Sequence, residues 1–178
     1  MAMRRWPILI LLAALALVFS ACQSGNAQAE PPADKQGTAN LFLMVDMVQG
    51  SKNISKADAP TRSCVLTNRF PRNSQIVWRA RVFDPKTGQL MDDQALSKVE
   101  VRLADGKTVD MKYGAHPKDP PGESYWTGSY LVPKDQATGT LDYSVVATAA
   151  DGRSGEFKPF NVSSSLLTIT DEVLASTQ

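Results

Sequence analysis

The sequence has few residues suited to redox, metal or acid–base chemistry. Its 178 residues include 2 cysteines and 1 histidine. P-loop, GxGxxG, GxSxG, HExxH, CxxC and CxxCH motifs are absent, so the usual parts of nucleotide-binding, hydrolytic and thiol-redox sites are missing. A Ser-His-Asp triad would depend on His116, which lies in a proline-rich stretch. We therefore expect a protein that is not an enzyme and holds no cofactor.

Residues 1–21 have the three parts of a secretion signal. Arg4 and Arg5 give a basic start, residues 7–19 form an apolar run, and Ser20 and Ala21 are small. As a helix, the apolar run would be roughly 20 Å long. A transmembrane helix needs about 20 apolar residues, which this run does not reach. We therefore predict that residues 1–21 are a cleaved signal peptide.

The segment Phe19-Ser20-Ala21-Cys22 resembles the lipobox of bacterial lipoproteins, in which an apolar residue and two small residues precede a cysteine. Phe19 stands where that motif usually has leucine. The resemblance implies cleavage before Cys22 and acylation of Cys22, which would attach the protein to a lipid bilayer. Several acyl chains hold a protein far more firmly than one chain does. The alternative is an ordinary secretion signal followed by a chance cysteine.

The lipobox resemblance implies a bacterial cell-envelope location, facing the periplasm or the exterior. Gln23 follows the cysteine, which in enteric bacteria implies sorting to the outer membrane. Residues 22–39 are rich in Gly, Pro, Ala and small polar residues, a composition typical of a flexible tether. We therefore expect a domain that stands away from the membrane surface.

The charge balance excludes a protein that is itself strongly basic or strongly acidic and that would attract a partner through its net charge. The chain has 19 Lys and Arg residues and 18 Asp and Glu residues. Cleavage would remove Arg4 and Arg5, which would leave 17 basic residues and a net charge near −1. No run of like charge stands out. We therefore expect no nucleic-acid binding.

Alternation with period two dominates the chain after the tether. In residues 75–84, Ile76, Trp78, Ala80 and Val82 take one face of the strand, while Arg79 and Arg81 take the other. In residues 97–103, Val99, Val101 and Leu103 alternate with Lys98, Glu100 and Arg102. These patterns predict half-buried strands. Residues 40–48 also read as a strand, with no clear facing, and residues 92–98 as a helical turn.

Two dipeptides predict hairpins that join these strands. Asp105-Gly106 and Asp151-Gly152 each lie between alternating segments, and such pairs readily adopt the positive φ of a tight turn. Strand patterns recur every 8 to 12 residues or so, without a helical pattern of similar length, which favours a β-sandwich. We predict an all-β, antiparallel sandwich of about seven strands over residues 40–171 and a C-terminal tail over residues 172–178.

Residues 132–157, which carry the alternating Tyr143, Val145 and Ala147 before the Asp151-Gly152 turn, resemble part of bacterial immunoglobulin-like and fibronectin-III-like domains. They look like the corner between strands E and F and the hairpin of strands F and G. The resemblance implies an immunoglobulin-like sandwich. It also implies that Tyr143 is a corner tyrosine, whose hydroxyl bonds to the backbone.

The segment from Tyr113 to Trp126 has the most unusual composition. Aromatic residues flank a centre rich in proline and charge, which is typical of a rigid contact surface. Tyr125 and Trp126 are candidate anchors because tyrosine and tryptophan are enriched at interface hot spots. We predict a binding site that includes His116, Tyr125 and Trp126. The alternative is that Trp126 packs into the core.

Cys64 would be the only thiol left if Cys22 is acylated, so an internal disulfide is excluded. Arg62, Arg69 and Arg72 lie near it in sequence and would favour a thiolate. Burial as a small apolar residue is the expectation we favour. No metal site is expected. The alternative is a copper site that uses Cys64, His116 and a methionine from the set Met44, Met47, Met91 and Met111.

Three functions remain open on the sequence alone. The first is a membrane-anchored, non-catalytic lipoprotein that binds another envelope protein, as an accessory subunit of a larger complex. The second is a periplasmic copper or redox protein that uses Cys64 and His116. The third is a carbohydrate-binding or adhesive module, which requires that Trp78, Trp126 and the tyrosines be exposed.

Overall fold

The computed structural model describes residues 41–176. The predicted signal peptide (residues 1–21), Cys22 and the tether through residue 39 lie outside the described residues, as do residues 177–178 of the predicted tail. The elements in chain order are β1 (Phe42–Gln49), α1 (Ala59–Arg62), β2 (Arg69–Arg72), β3 (Gln75–Phe83), β4 (Leu96–Leu103), β5 (Thr108–Asp110), β6 (Lys112–His116), β7 (Glu123–Leu131), β8 (Gly139–Thr140), β9 (Tyr143–Ala149), β10 (Ser154–Phe157) and β11 (Thr168–Val173).

Two four-stranded antiparallel sheets form the body of the domain. Their strand orders are β1-β3-β7-β6 and β10-β9-β4-β5. The first follows the order A-B-E-D of an immunoglobulin sandwich, and the second follows G-F-C with β5 added at its edge. The prediction of an all-β antiparallel sandwich is therefore confirmed.

Eleven strands are present in the described residues, rather than about seven. Three short strands form a third sheet of order β2-β11-β8, in which β11 pairs with β2 in parallel. Strands of two to four residues, such as β8 and β2, are too short to show an alternating pattern. β11 continues to Val173, and Leu174 after it is buried.

The core lies between the two main sheets. Ile76, Trp78, Ala80 and Val82 of β3 point into it, as do Val99, Val101 and Leu103 of β4. The rings of Trp78 and Tyr143 join the sheets, with their centres 5.7 Å apart. The inward faces predicted for β3 and β4 are thus confirmed. The structure also shows which side chains of β1 face the core. Leu43 and Met47 are buried, while Phe42 and Met44 are exposed.

The predicted hairpins form, but Tyr143 does not make the backbone hydrogen bond expected of a corner tyrosine. Gly106 and Gly152 have φ angles of 85° and 87° and turn the β4–β5 and β9–β10 hairpins. Residues 92–96 make a single helical turn, in which the Leu96 amide donates to the Asp92 carbonyl at 3.0 Å. Within residues 41–176, the Tyr143 hydroxyl makes no hydrogen bond to the backbone, because the ring lies in the core against Trp78.

Among residues 41–176 there is one short helix, α1, which lies between β1 and β2 and buries none of its residues. Across residues 41–176, no helix combines the length and the apolar character needed to cross a membrane.

Candidate functional site

The proline-rich loop of residues 117–122 closes a hairpin between β6 and β7. His116 at the end of β6 lies opposite Glu123 at the start of β7. The Gly122 amide donates to the Pro117 carbonyl at 2.9 Å. A Cβ atom at Gly122 would lie 2.3 Å from the His116 carbonyl oxygen, so only glycine fits this close approach. The loop thereby fixes where β7 begins and which of its residues point outward.

Tyr125 and Trp126 point to opposite faces because they are neighbours on one strand. Trp126 is 5% exposed, packs on Tyr113 with ring centres 5.4 Å apart, and donates its indole N–H to the Met91 carbonyl at 3.1 Å. The prediction that Trp126 contacts a partner is therefore wrong, because the ring belongs to the core. Tyr125 lies on the outer face.

Tyr125 is flanked by two arginines of β3. The guanidinium carbons of Arg79 and Arg81 lie 5.4 and 4.9 Å from the centre of the Tyr125 ring. These distances are within the range of cation–π attraction. The Tyr125 hydroxyl donates to Glu123 Oε2 at 2.6 Å. Contacts on three sides thus hold the ring in one orientation.

Two ion pairs bridge neighbouring strands around this ring. Arg79 Nε and Nη2 donate to the two carboxylate oxygens of Asp46 on β1, each at 2.7 Å. This geometry follows from the register, which places Asp46 directly opposite Arg79. Arg81 pairs through Nη2 with Glu123 Oε2 on β7. Both arginines are therefore fixed by carboxylates from the strands on either side.

These contacts shift the pKa values of three groups. The hydrogen bond to Asp46 raises the pKa of Arg79. The hydrogen bond from the Tyr125 hydroxyl, and then the charge of Arg81, lower the pKa of Glu123. The same hydrogen bond, followed by partial burial, raises the pKa of Tyr125. At neutral pH Arg79 and Glu123 are therefore ionised and the Tyr125 phenol is neutral.

Apolar side chains extend this cluster along β1. Phe42 and Met44 are 57% and 56% exposed. Phe42 packs on Phe83 with ring centres 6.4 Å apart, and Met44 lies opposite Arg81 in the sheet. A cavity of about 240 Å³ opens between Met44, the arginines and Tyr125. We call this surface the arginine–tyrosine face, and it consists of Phe42, Met44, Asp46, Arg79, Arg81, Glu123 and Tyr125.

His116 lies beside the arginine–tyrosine face. Its ring Nε2 is 3.4 Å from Thr127 Oγ1, and Thr127 lies on the same side of β7 as Tyr125. Two of the three residues predicted for a binding site, His116 and Tyr125, thus share one side of the sheet. The sequence interpretation did not include Arg79, Arg81, Asp46 and Glu123, although the outward alternation of the two arginines along β3 was visible.

Cys64 is exposed, so the expectation that it is buried is wrong. Its amide donates to the Gln49 carbonyl at 2.8 Å, which holds it beside the end of β1. The residue has a φ of 61°, a turn conformation that brings the chain back along β1. Backbone pairing, rather than packing of the thiol, therefore determines its position.

The alternative copper site is not assembled in this domain. Cys64 lies at the Gln49 end of the first sheet, whereas His116 lies at the opposite end, beside Glu123. At about 3.4 Å per residue, these ends are roughly 20 Å apart along the strands, so the two side chains cannot share one ion. Within the described part of the chain, no three His, Cys, Asp or Glu side chains form a group that could hold a metal.

The carbohydrate-binding alternative loses the two tryptophans on which it depended in part. Trp78 is fully buried and Trp126 nearly so, so neither ring can stack on a sugar from the surface.

Comparisons with family models, with curated proteins and with solved structures find no match to this chain.

Proposed function

We propose that this protein is a bacterial envelope lipoprotein, anchored through acylated Cys22, whose immunoglobulin-like domain binds another envelope protein without catalysing a reaction. The lipobox-like segment before Cys22 supports the anchor, and the composition of residues 22–39 supports a tether. The arginine–tyrosine face supports the binding role. In this proposal the protein is an accessory subunit held near its partner by the membrane, with the outer membrane favoured by Gln23.

One observation supports the binding role above the others. Tyr125 is held between Arg79 and Arg81 on an exposed sheet face, next to exposed Met44 and Phe42. Aromatic residues, methionine and arginine are the side chains enriched in protein–protein interfaces. Because ion pairs and a hydrogen bond already fix the ring and the arginines, little conformational entropy remains to be lost on binding.

The anchor is tested by the mass of the protein purified from membranes. We expect a chain that begins at Cys22 and carries the added mass of acyl groups, and a Cys22→Ala variant that leaves the membrane fraction. A mature chain without added lipid, still released by cleavage near residue 21, would contradict the anchor. It would leave the binding role open.

The binding role is tested by crosslinking in intact cells followed by mass spectrometry. We expect a defined partner with the wild-type protein, and its loss in a Tyr125→Ala variant. Val146→Ala is the matched control, because Val146 is half-buried on the outer side of β9 in the other sheet. The Cys22→Ala variant should lose the partner as well. Recovery of the protein alone across crosslinking conditions would contradict the proposal.

A further inference from the structure

A cleft of about 470 Å³ opens between β1 and the segment that follows β10. We call this segment the strap and define it as residues 158–166. The cleft has mostly apolar walls, formed by Val45, Met47, Leu66, Phe157, Pro159 and Phe160. Small-molecule sites have similar volumes, apolar walls and a few placed polar groups. The size and lining of this cleft thus fit a small ligand.

Asn68 ties the strap to the rest of the domain. Its side-chain Nδ2 donates to the carbonyls of Ser163 and Leu166 at 2.9 and 2.8 Å. The Asn68 carbonyl in turn accepts from the Thr168 amide at 2.7 Å. The opposite wall, β1, is paired along its length with β3. Both walls are therefore formed before a ligand enters, so binding requires little further ordering of the chain.

Tyr143 supplies the cleft with a hydrogen-bond donor. The residue lines the cleft although it is only 7% exposed. Burial raises the pKa of Tyr143 to about 12, so its hydroxyl keeps the proton at neutral pH and can donate it in a hydrogen bond.

The indole N–H of Trp78 lies behind this hydroxyl. It is fully buried and has no hydrogen-bond partner among residues 41–176, yet it is close enough to the Tyr143 hydroxyl to affect the pKa of that group. Buried donors in proteins are normally hydrogen-bonded, and an unpaired one calls for an explanation. A ligand acceptor bound by the Tyr143 hydroxyl would supply it, because the hydroxyl oxygen would then keep its lone pairs for the Trp78 N–H.

The charges around the cleft favour an uncharged ligand. Asp46 is the one charged residue that lines it in the described part of the chain, and both of its carboxylate oxygens accept from Arg79 at 2.7 Å. An anion would meet no positive lining residue, and a cation would compete with Arg79 for Asp46. At the rim, Phe160 is 78% exposed, so an apolar chain in the cleft would cover part of its ring.

We infer that this cleft binds an uncharged acyl chain that ends in an ester or amide carbonyl. The chain packs between β1 and the strap, and the Tyr143 hydroxyl donates to the carbonyl oxygen. This site goes beyond the proposed function and requires no partner protein. Two sources share the chemistry, namely a free glyceride and the acyl groups proposed for Cys22, and the test below separates them.

The test follows the indole N–H signals of Trp78 and Trp126 by nuclear magnetic resonance during titration with monooctanoylglycerol. It uses the full-length Cys22→Ala variant without detergent. We expect a saturable shift of the Trp78 signal and none of the Trp126 signal, because the Trp126 N–H already donates to the Met91 carbonyl. Octylglycerol ether, which lacks the carbonyl, should bind at least about threefold more weakly. Octanoate should also bind more weakly, because its charge meets no cation in the cleft.

The same titration of the wild-type protein in nanodiscs identifies the source of the acyl chain. A shift of the Trp78 signal in both proteins assigns the cleft to a free glyceride. A shift in Cys22→Ala alone, with a wild-type Trp78 signal that already matches the bound form, assigns it to the acyl groups of Cys22.

Further substitutions in the Cys22→Ala chain locate the site. Tyr143→Phe should bind the ester and the ether equally, since it cannot donate to the carbonyl. Phe160→Ser should weaken binding of both about threefold or more, because the chain loses an apolar wall. Val162→Ser is the matched control, because Val162 is exposed on the same strap but does not line the cleft. Thermal unfolding of each variant shows whether the fold is retained.

Three results would overturn the inference. The first is a Trp78 signal in Cys22→Ala that does not shift, or shifts no more than the Trp126 signal. The second is a Tyr143→Phe variant that still prefers the ester to the ether. The third is equal weakening by Phe160→Ser and Val162→Ser. The proposed function fails separately, because ester binding without a crosslinked partner in cells would contradict it alone. A captured partner without ester binding would contradict only the inference.

Discussion

The two sheets carry ion pairs on their outer faces but arrange them differently. On the β4 side, Glu100 accepts from Lys98 Nζ at 2.6 Å and from Arg102 Nη2 at 2.8 Å, all within one strand. The two long cationic side chains cover the carboxylate, which is 8% exposed. On the other side, the pairs Asp46–Arg79 and Arg81–Glu123 join neighbouring strands and surround Tyr125.

This difference determines what each face offers to a partner. The strands of the first sheet expose Phe42, Met44 and Leu131, whereas β4, β5, β9 and β10 expose no large apolar side chain among the described residues. Ion pairs along one strand make a solvated cover for a buried carboxylate. Ion pairs across strands hold an aromatic ring in place and leave apolar neighbours open. This contrast supports the proposal that the arginine–tyrosine face, the first face, binds a partner, and that the ion pairs around Glu100 on the second face stabilise the fold.

The largest expected effect separates the two neighbouring aromatics of β7. Trp126→Ala should lower the free energy of unfolding by about 3–5 kcal/mol, because it empties a buried site. Tyr125→Ala should lower it by less than about 1 kcal/mol, because this ring lies on the surface. Urea unfolding of both variants measures the difference. Equal losses would mean that Tyr125 is a structural residue and would remove the main argument for the binding face.

The second effect concerns Tyr143, which lies in the core behind the first face. Burial, with a smaller contribution from the Asp46 charge, raises the pKa of Tyr143 from 10.0 to about 12. The folded state thus holds the proton more tightly than the unfolded chain. Stability should be fully present below pH 10.0 and should fall by roughly 2–3 kcal/mol as the pH rises to about 12.

Tyr143→Phe tests this origin. The variant should lose most of the alkaline dependence of its unfolding free energy, since position 143 then has no phenol to ionise. A Tyr143→Phe variant with an unchanged slope would show that other groups cause the alkaline loss.

The third effect tests the role of the ion pairs around Glu100 on the outer face of the second sheet. Glu100→Gln should cost about 1–3 kcal/mol, because charge-assisted hydrogen bonds to Lys98 and Arg102 are lost from a buried group. Hydrogen bonds from Lys98 and then Arg102 lower the pKa of Glu100 below 4.5. Its contribution is therefore present above pH 4.5 and lost as the pH falls below that value. Glu123→Gln, on the first face, should cost less, and the opposite order in acid and urea unfolding would reverse our assignment.

The smallest effect concerns the hydroxyl of Tyr125. Tyr125→Phe keeps the ring between the arginines and should change the free energy of unfolding by less than about 0.5 kcal/mol. The pKa of Glu123 should rise toward its usual value, because the hydroxyl is the main cause of its lowering. Carboxyl chemical shifts followed against pH measure this. An unchanged Glu123 titration would show that Arg81 alone sets it, and Tyr130→Phe serves as the control.

The main strands could be predicted because their alternation is regular. The pattern of β3 placed Trp78 inside and Arg79 and Arg81 outside, and the glycines of two Asp-Gly pairs located hairpins. The facing of Tyr125 and Trp126 could not be predicted, since it depends on where the chain leaves the proline-rich loop. The ion pairs depend on the register of β1 against β3, which alternation alone leaves open.

The alternation pattern also could not predict the exposure or pairing of residues whose positions depend on contacts with other parts of the chain. Cys64 is exposed because its amide bonds to Gln49 in a turn. Glu100 alternates as an outward residue, and it is covered only because Lys98 and Arg102 fold over it. The short strands β2 and β8 pair with β11, about 100 and 30 residues away in the chain respectively. Such distant pairings leave no local signal.

The most direct test of the binding face is site-specific photocrosslinking in intact cells. A photoreactive residue is placed at Thr127, which is half-buried on the outer side of β7, or at Thr148, its counterpart on β9 in the other sheet. The account predicts one discrete protein adduct from position 127 and none from position 148. Adducts of equal yield from both positions, or an adduct from position 148 alone, would contradict it.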